Sequence, residues 1–184
     1  PCRDASLYGP TLKAAYTVIK QQSPHALIGM FGLWWENTPH IHNFMEYLYQ
    51  HGYGSYFDFA NFHYYVCNRD PGTTSGDSPS FDLEWQTIRK VMVEQGDAKK
   101  AIWVTEAGYP TTVLNHKAQC LVSPEVQSQY MKDILTSAAN SHVIQHVFWY
   151  TIGNQDGMSI IQPGGPLPSF YALKDFIKQE PTWR

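Results

Sequence analysis

The run Ala101-Ile102-Trp103-Val104-Thr105-Glu106-Ala107-Gly108-Tyr109-Pro110 places a carboxylate at the end of an apolar strand. Such a group is costly there unless it is paired or used. Alternation along a strand puts Ile102, Val104 and Glu106 on one face, with the acid at the C-terminal tip. The apolar segment before it ends Asn61-Phe62-His63-Tyr64-Tyr65, so Asn61, His63 and Tyr65 share a face. An imidazole and a phenol thus reach the same rim as Glu106, and both can hydrogen-bond a carboxylate and set its charge. The competing reading is a structural glutamate held by a buried tyrosine or arginine.

Aromatic residues collect at the same rim. In Val147-Phe148-Trp149-Tyr150-Thr151, alternation sets Val147, Trp149 and Thr151 on one face. Trp149 offers a flat apolar plane to the C–H face of a sugar ring, or else fills the core. Trp34 and Trp35 carry the same two readings, and Glu36 beside them is a second carboxylate. Asp156 reads as a solvated turn residue. His40 and His42, two apart on a helix, diverge and read as surface residues rather than metal ligands. Cys2, Cys67 and Cys120 cannot all pair within one chain, and no C-x-x-C spacing supports a zinc or redox site.

The elements that must carry these groups alternate. A helix opening at Gly9-Pro10 is followed by a strand at Ala26–Phe31, and Thr38-Pro39 opens a second helix. A strand from about Tyr56 to Val66 leads to a helix from Pro79-Ser80, with Asp82 and Glu84 near its positive end. The strand Ala101–Thr105, a helix from Ser123-Pro124, the strand His146–Thr151 and a helix capped by Ser169 complete the chain. One leading helix and four strand–helix units over 184 residues predict a single α/β domain, 1–184, with four parallel strands. The long connections all follow strand C-termini, the face where α/β folds hold their sites.

With 13 Lys plus Arg against 16 Asp plus Glu, the net charge of −3 excludes a strongly basic nucleic-acid footprint. No apolar run reaches the roughly 18 residues of a membrane span. Aromatic residues make up 15% of the chain and charged ones only 16%, which suits a deep core, a buried interface or a sugar cleft.

Trp-Val-Thr-Glu-Ala-Gly-Tyr-Pro-Thr at 103–111, Asn-Phe-His-Tyr-Tyr at 61–65 and Val-Phe-Trp-Tyr at 147–150 resemble strands seven, six and eight of retaining glycoside hydrolases with a (β/α)8 barrel. Families 39 and 5 look closest. The resemblance implies half a TIM barrel, strands five to eight, acting on β-linked oligo- or polysaccharide without a cofactor. It makes Glu106 the nucleophile, Tyr65 its hydrogen-bonding partner and His63 a site-shaping residue. Glu36 is the local candidate for the acid, because the family's own acid/base segment has no counterpart here. Trp149, Trp34, Trp35, Tyr109 and Asn61 are the expected sugar contacts, and the Trp149–Tyr150 peptide is the expected cis bond. A non-catalytic sugar-binding or assembly module is the rival reading. Four strands cannot close a barrel, so the half is expected to dimerise or to pair with a complementary half. The compartment stays open, with an extracellular one favoured.

Overall fold

The computed structural model describes residues 4–34, 37–75, 78–113, 118–153 and 157–180. Among the described residues, five α-helices, α1 (Ala5–Gln22), α2 (Thr38–Gln50), α3 (Phe81–Glu94), α4 (Pro124–Ser141) and α5 (Pro168–Gln179), accompany a parallel sheet. Its strands are β1 (Phe59–Tyr64), β2 (Ala101–Ala107) and β3 (Ile144–Trp149), in that order. A small hairpin, β4 (Ile161–Gln162) and β5 (Gly165–Pro166), precedes α5. This is a mixed α/β arrangement consistent with part of a TIM-like barrel. None of the described helices is long and apolar enough to cross a membrane.

The helix starts follow local chemistry. Ser80 and Ser123 accept from the amides of Leu83 and Val126, capping α3 and α4 as their sequences predict. The first helix begins earlier than Gly9-Pro10, because Asp4 accepts from the Ser6 amide at 2.9 Å and starts α1 at Ala5. Ser169 does not cap α5; it is buried and donates to Gln127 Oε1 at 2.6 Å.

The fourth expected strand, Ala26–Phe31, is a correction. Only isolated parallel bridges, Gly29 to Phe59 and Leu33 to Phe62, join this segment to β1. Asp58 N donates to Ile28 O at 2.7 Å and Leu33 N to Asn61 O at 2.9 Å. Met30 N still donates to Phe59 O at 3.3 Å, but four residues from Gly29 to Leu33 then span only three on β1, and within that one-residue shift the Phe31 amide donates to the Tyr8 hydroxyl at 2.7 Å. The segment therefore lies in strand position beside β1 without forming a continuous strand.

The core lies between the sheet's outer face and the helices. Ala60, Phe62, Tyr64, Ile102, Val104 and Ala107 are fully buried against Ile41, Met45, Leu48, Ile88, Met92 and Ile134. A second cluster under α5 joins Met131, Leu135, Ile160 and Ala172. Glu84, expected as a favourable charge near the positive end of α3, is buried. Burial pushes its carboxyl well above the usual range, with Arg69 opposing.

The sheet's other face carries an aromatic layer that is exposed at Phe148. Phe59 stacks on Trp103 at 3.9 Å, Trp103 meets His146 at 4.3 Å, and Phe148 beside them is half exposed. In a closed barrel this layer would be interior.

Candidate active site

The position of Glu106 depends on a break in the β2 register. Phe62 pairs with Val104, but the next residue, His63, pairs with Glu106, so Thr105 has no partner on β1. This bulge is a correction to the alternation drawn from sequence. Ile102, Val104 and Ala107 face the helices, while Glu106 leaves their face and points into a cleft. A bulge re-aims a side chain in this way without ending the strand. Had the alternation persisted, the carboxylate would sit among buried aliphatic groups.

The Tyr65 hydroxyl donates to Glu106 Oε2 at 2.8 Å, and His63 Nδ1 lies 3.4 Å from the same oxygen. The Glu106 side chain is 39% exposed, so it is held by partners and open to a ligand at once. Burial keeps the His63 imidazole below its ordinary pKa, against the pull of the Glu106 charge. These three residues meet as the sequence analysis expects.

The cleft around them has a volume of about 440 Å³ and is walled by Trp34, Tyr65, Tyr150 and Met158. Tyr65 stands edge-on to both neighbouring aromatics, 6.4 Å from the Trp34 ring and 6.4 Å from the Tyr150 ring. Both Trp34 and Tyr150 are substantially exposed, which leaves apolar planes for a sugar ring. Gly108 allows the close approach of the strand ends, since a Cβ there would lie 2.3 Å from Tyr150 O. Cys67 and Cys120 form a disulfide that lies in the cleft wall and ties the loop after β2 to the end of β1. Spacing alone did not select this pair from three cysteines.

Other expected contacts fall elsewhere. Trp149 packs with Val147 toward α4 and α5, on the helix side of β3, and the adjacent Tyr150 takes the place at the cleft. The cis peptide correspondingly joins Tyr150 to Thr151, one bond later than expected. The Tyr150 amide still donates to Ala107 O at 2.8 Å and so continues the ladder to β2. Tyr109 is fully buried beside Tyr130 and Trp149, and its hydroxyl donates to Arg69 O at 3.0 Å. It braces the loop after β1 and does not reach the cleft. Asn61 is also buried, engaged with Thr105 and Met30 O rather than with a ligand. Trp35, Glu36, Asp156 and Cys2 lie outside the described residues.

Among the described residues lining the cleft, Glu106 is the one carboxylate. No group of three or more His, Cys, Asp or Glu among the described residues could hold a metal ion. The arrangement supplies one oriented, solvent-accessible nucleophile or base with a phenol donor on the same oxygen.

The chain matches no protein-family profile and no curated protein. It is similar to several solved structures. One is an endo-β-1,3-glucanase of glycoside hydrolase family 128 from Amycolatopsis mediterranei in complex with laminaritriose, with TM-score 0.60 and 16% identity over 90% of this chain. Another is a family 39 glycoside hydrolase from the gut symbiont Bacteroides cellulosilyticus, with TM-score 0.68 and 20% identity over 92% of this chain. A third is a glucosidase from Croceicoccus marinus, with TM-score 0.63 and 16% identity over 89%. The chain spans 65% of the glucanase, 36% of the family 39 enzyme and 34% of the glucosidase. Identities this low speak to the fold alone. The fold is glycoside-hydrolase-like.

Proposed function

We propose that this chain is the nucleophile-bearing half of a retaining glycoside hydrolase acting on β-linked oligo- or polysaccharide. The observation that carries the reading is Glu106, turned into an aromatic cleft by a bulge and hydrogen-bonded by Tyr65. Its likeness to a glucanase holding laminaritriose supports a β-linked glucan as the substrate class.

In this reaction the Glu106 carboxylate attacks the anomeric carbon and the bond to the leaving oxygen breaks. An acid protonates that oxygen, and water then releases the sugar with net retention. Retention places the two carboxyl groups about 5–5.5 Å apart. Glu36 is the local candidate for the acid, being two residues beyond Trp34 at the cleft wall. The alternative source is a complementary half-barrel. The exposed Phe148 on the sheet's aromatic face and the place of β3 at the sheet's edge among the described residues support such a partner. We take the occupant to be a complementary set of strand–helix units, because the solved structures that this chain resembles are longer than it, the chain spanning 65%, 36% and 34% of three of them. Light scattering of the isolated chain is expected to show ill-defined self-association that such a half suppresses. A discrete two-fold dimer would instead support self-pairing, and a dispersed folded monomer would refute the need for cover.

A glycoside with an excellent leaving group needs little acid help, so it tests the nucleophile by itself. A dinitrophenyl β-glucoside or β-laminaribioside is expected to release a burst of phenolate near one equivalent of protein. Because the described cleft holds a single carboxylate, a sugar-binding module is the second reading. It predicts tryptophan fluorescence quenching by laminari-oligosaccharide with no release.

A further inference from the structure

Beneath Glu106 lies a chain of polar groups whose donors and acceptors can be assigned one by one. The Thr105 backbone amide can only donate, and it faces Asn61 Oδ1 at 3.3 Å, which fixes that atom as the oxygen. The Asn61 amide nitrogen accordingly faces Met30 O at 3.4 Å. Thr105 Oγ1 lies 2.7 Å from the same Asn61 oxygen, so the hydroxyl spends its one hydrogen there. The same Oγ1 is 3.0 Å from His63 Nε2. With its hydrogen committed, the hydroxyl can only accept, and Nε2 must carry the proton.

We propose that Asn61 and Thr105 fix the Nε2–H tautomer of His63, so that the neutral ring turns an unprotonated Nδ1 toward Glu106. Thr105 is in this account a positioning residue, acting on the nucleophile through His63. The bulge that aims Glu106 also frees Thr105 from strand pairing and sets it over Asn61 and His63. The ring cannot easily turn away, because Gly32 packs against it so closely that a Cβ there would lie 2.1 Å from Nε2. The groups meeting at Nδ1 are Glu106 Oε2 from β2 and, on the same oxygen, the Tyr65 hydroxyl from the end of β1.

The consequence deepens the hydrolase reading and rests on it. Neutral His63 donates nothing to Glu106, so among the described residues Oε2 bears one donor, Tyr65, and keeps its nucleophilicity. A second proton on His63 can enter only at Nδ1, where it forms an ion pair with Oε2 and blunts the nucleophile. The opposite tautomer would blunt it in the neutral protein by donating a hydrogen bond from Nδ1 to Oε2.

The test is nitrogen NMR of the full chain labelled with ¹⁵N-histidine, with the His63 resonances assigned by loss in His63→Gln. Neutral wild-type protein is expected to show a protonated Nε2 and an unprotonated Nδ1. Thr105→Ser keeps that pattern, whereas Thr105→Val shifts the ring toward the Nδ1–H form. An Nδ1–H ring in the wild type, or an unchanged ring in Thr105→Val, would overturn the assignment. In phenolate release, Thr105→Val is expected to lose about tenfold in kcat, with Thr105→Ser restoring it. Loss of activity equal in both variants, with the tautomers as predicted, would retain the tautomer device and refute its catalytic consequence. The NMR result stands whether or not the chain hydrolyses glycosides, so failure of the tautomer and failure of the hydrolase reading are separately visible.

Discussion

Glu106→Gln is expected to lower release from an activated aryl β-glycoside by about 10⁴-fold or more, the scale on which removal of a nucleophile acts. Glutamine has the same shape and can still accept from Tyr65, so the fold and the cleft should survive. Glu106 side-chain exposure of 39% argues the same way, because few packing contacts are at risk. Circular dichroism and the melting temperature should match the parent. What disappears is the carboxylate proposed to attack the anomeric carbon. In Glu106→Ala, added azide can enter the vacated space and attack directly, restoring release with inverted anomeric configuration. Unchanged rates in both variants would remove Glu106 from the mechanism.

The Cys67→Ser/Cys120→Ser double variant is expected to show the largest effect on stability. The disulfide closes a sequence separation of 53 residues. Chain-entropy arguments assign a loop of that length about 4 kcal/mol, with the measured loss commonly smaller. For a chain of this size that corresponds to a fall in Tm of roughly 8–16 °C. Function should suffer too, since both half-cystines stand in the cleft wall and hold the loop after β2 against the end of β1. KM should rise more than kcat falls, because the lost part is a wall and not the nucleophile. Thermal melts and kinetics with and without reductant check both effects. A melt unaltered by the double substitution would show that the loop is held by its other contacts, such as Val122 N to Pro110 O at 2.9 Å.

Which residues meet at the cleft was more legible in the sequence than how each is turned. Glu106, Tyr65 and His63 could be brought together from residue types and strand order. The reason offered for Glu106 was nevertheless incomplete, since alternation placed it with Ile102 and Val104. The unpaired Thr105 is what separates them, and a bulge leaves no mark in a pattern of apolar and polar residues. The same limit governs Trp149 and Tyr150. Two adjacent aromatics look alike as cleft walls, and only their opposite directions at the end of β3 decide that Tyr150 meets the cleft. Tyr109 and Asn61 carry polar ends that read as ligand contacts. Their hydrogen bonds are spent internally, on Arg69 O and on Thr105.

The helices were legible where a side-chain cap announces them, as at Ser80 and Ser123. The strand expected at Ala26–Phe31 was less so, because its pairing with β1 slips by one residue between Gly29 and Leu33, where a phenol from α1 takes the Phe31 amide. Tyr8 is 23 residues away, and such a long-range competitor is invisible to local propensity.

Covalent trapping addresses the nucleophile most directly. The protein is incubated with a 2-deoxy-2-fluoro β-glucoside bearing a dinitrophenolate leaving group, digested and mapped by mass spectrometry. A fluoroglucosyl adduct on Glu106, absent from Glu106→Gln, is the expected result. An adduct on another residue, or no adduct while the phenolate is released, would contradict the assignment.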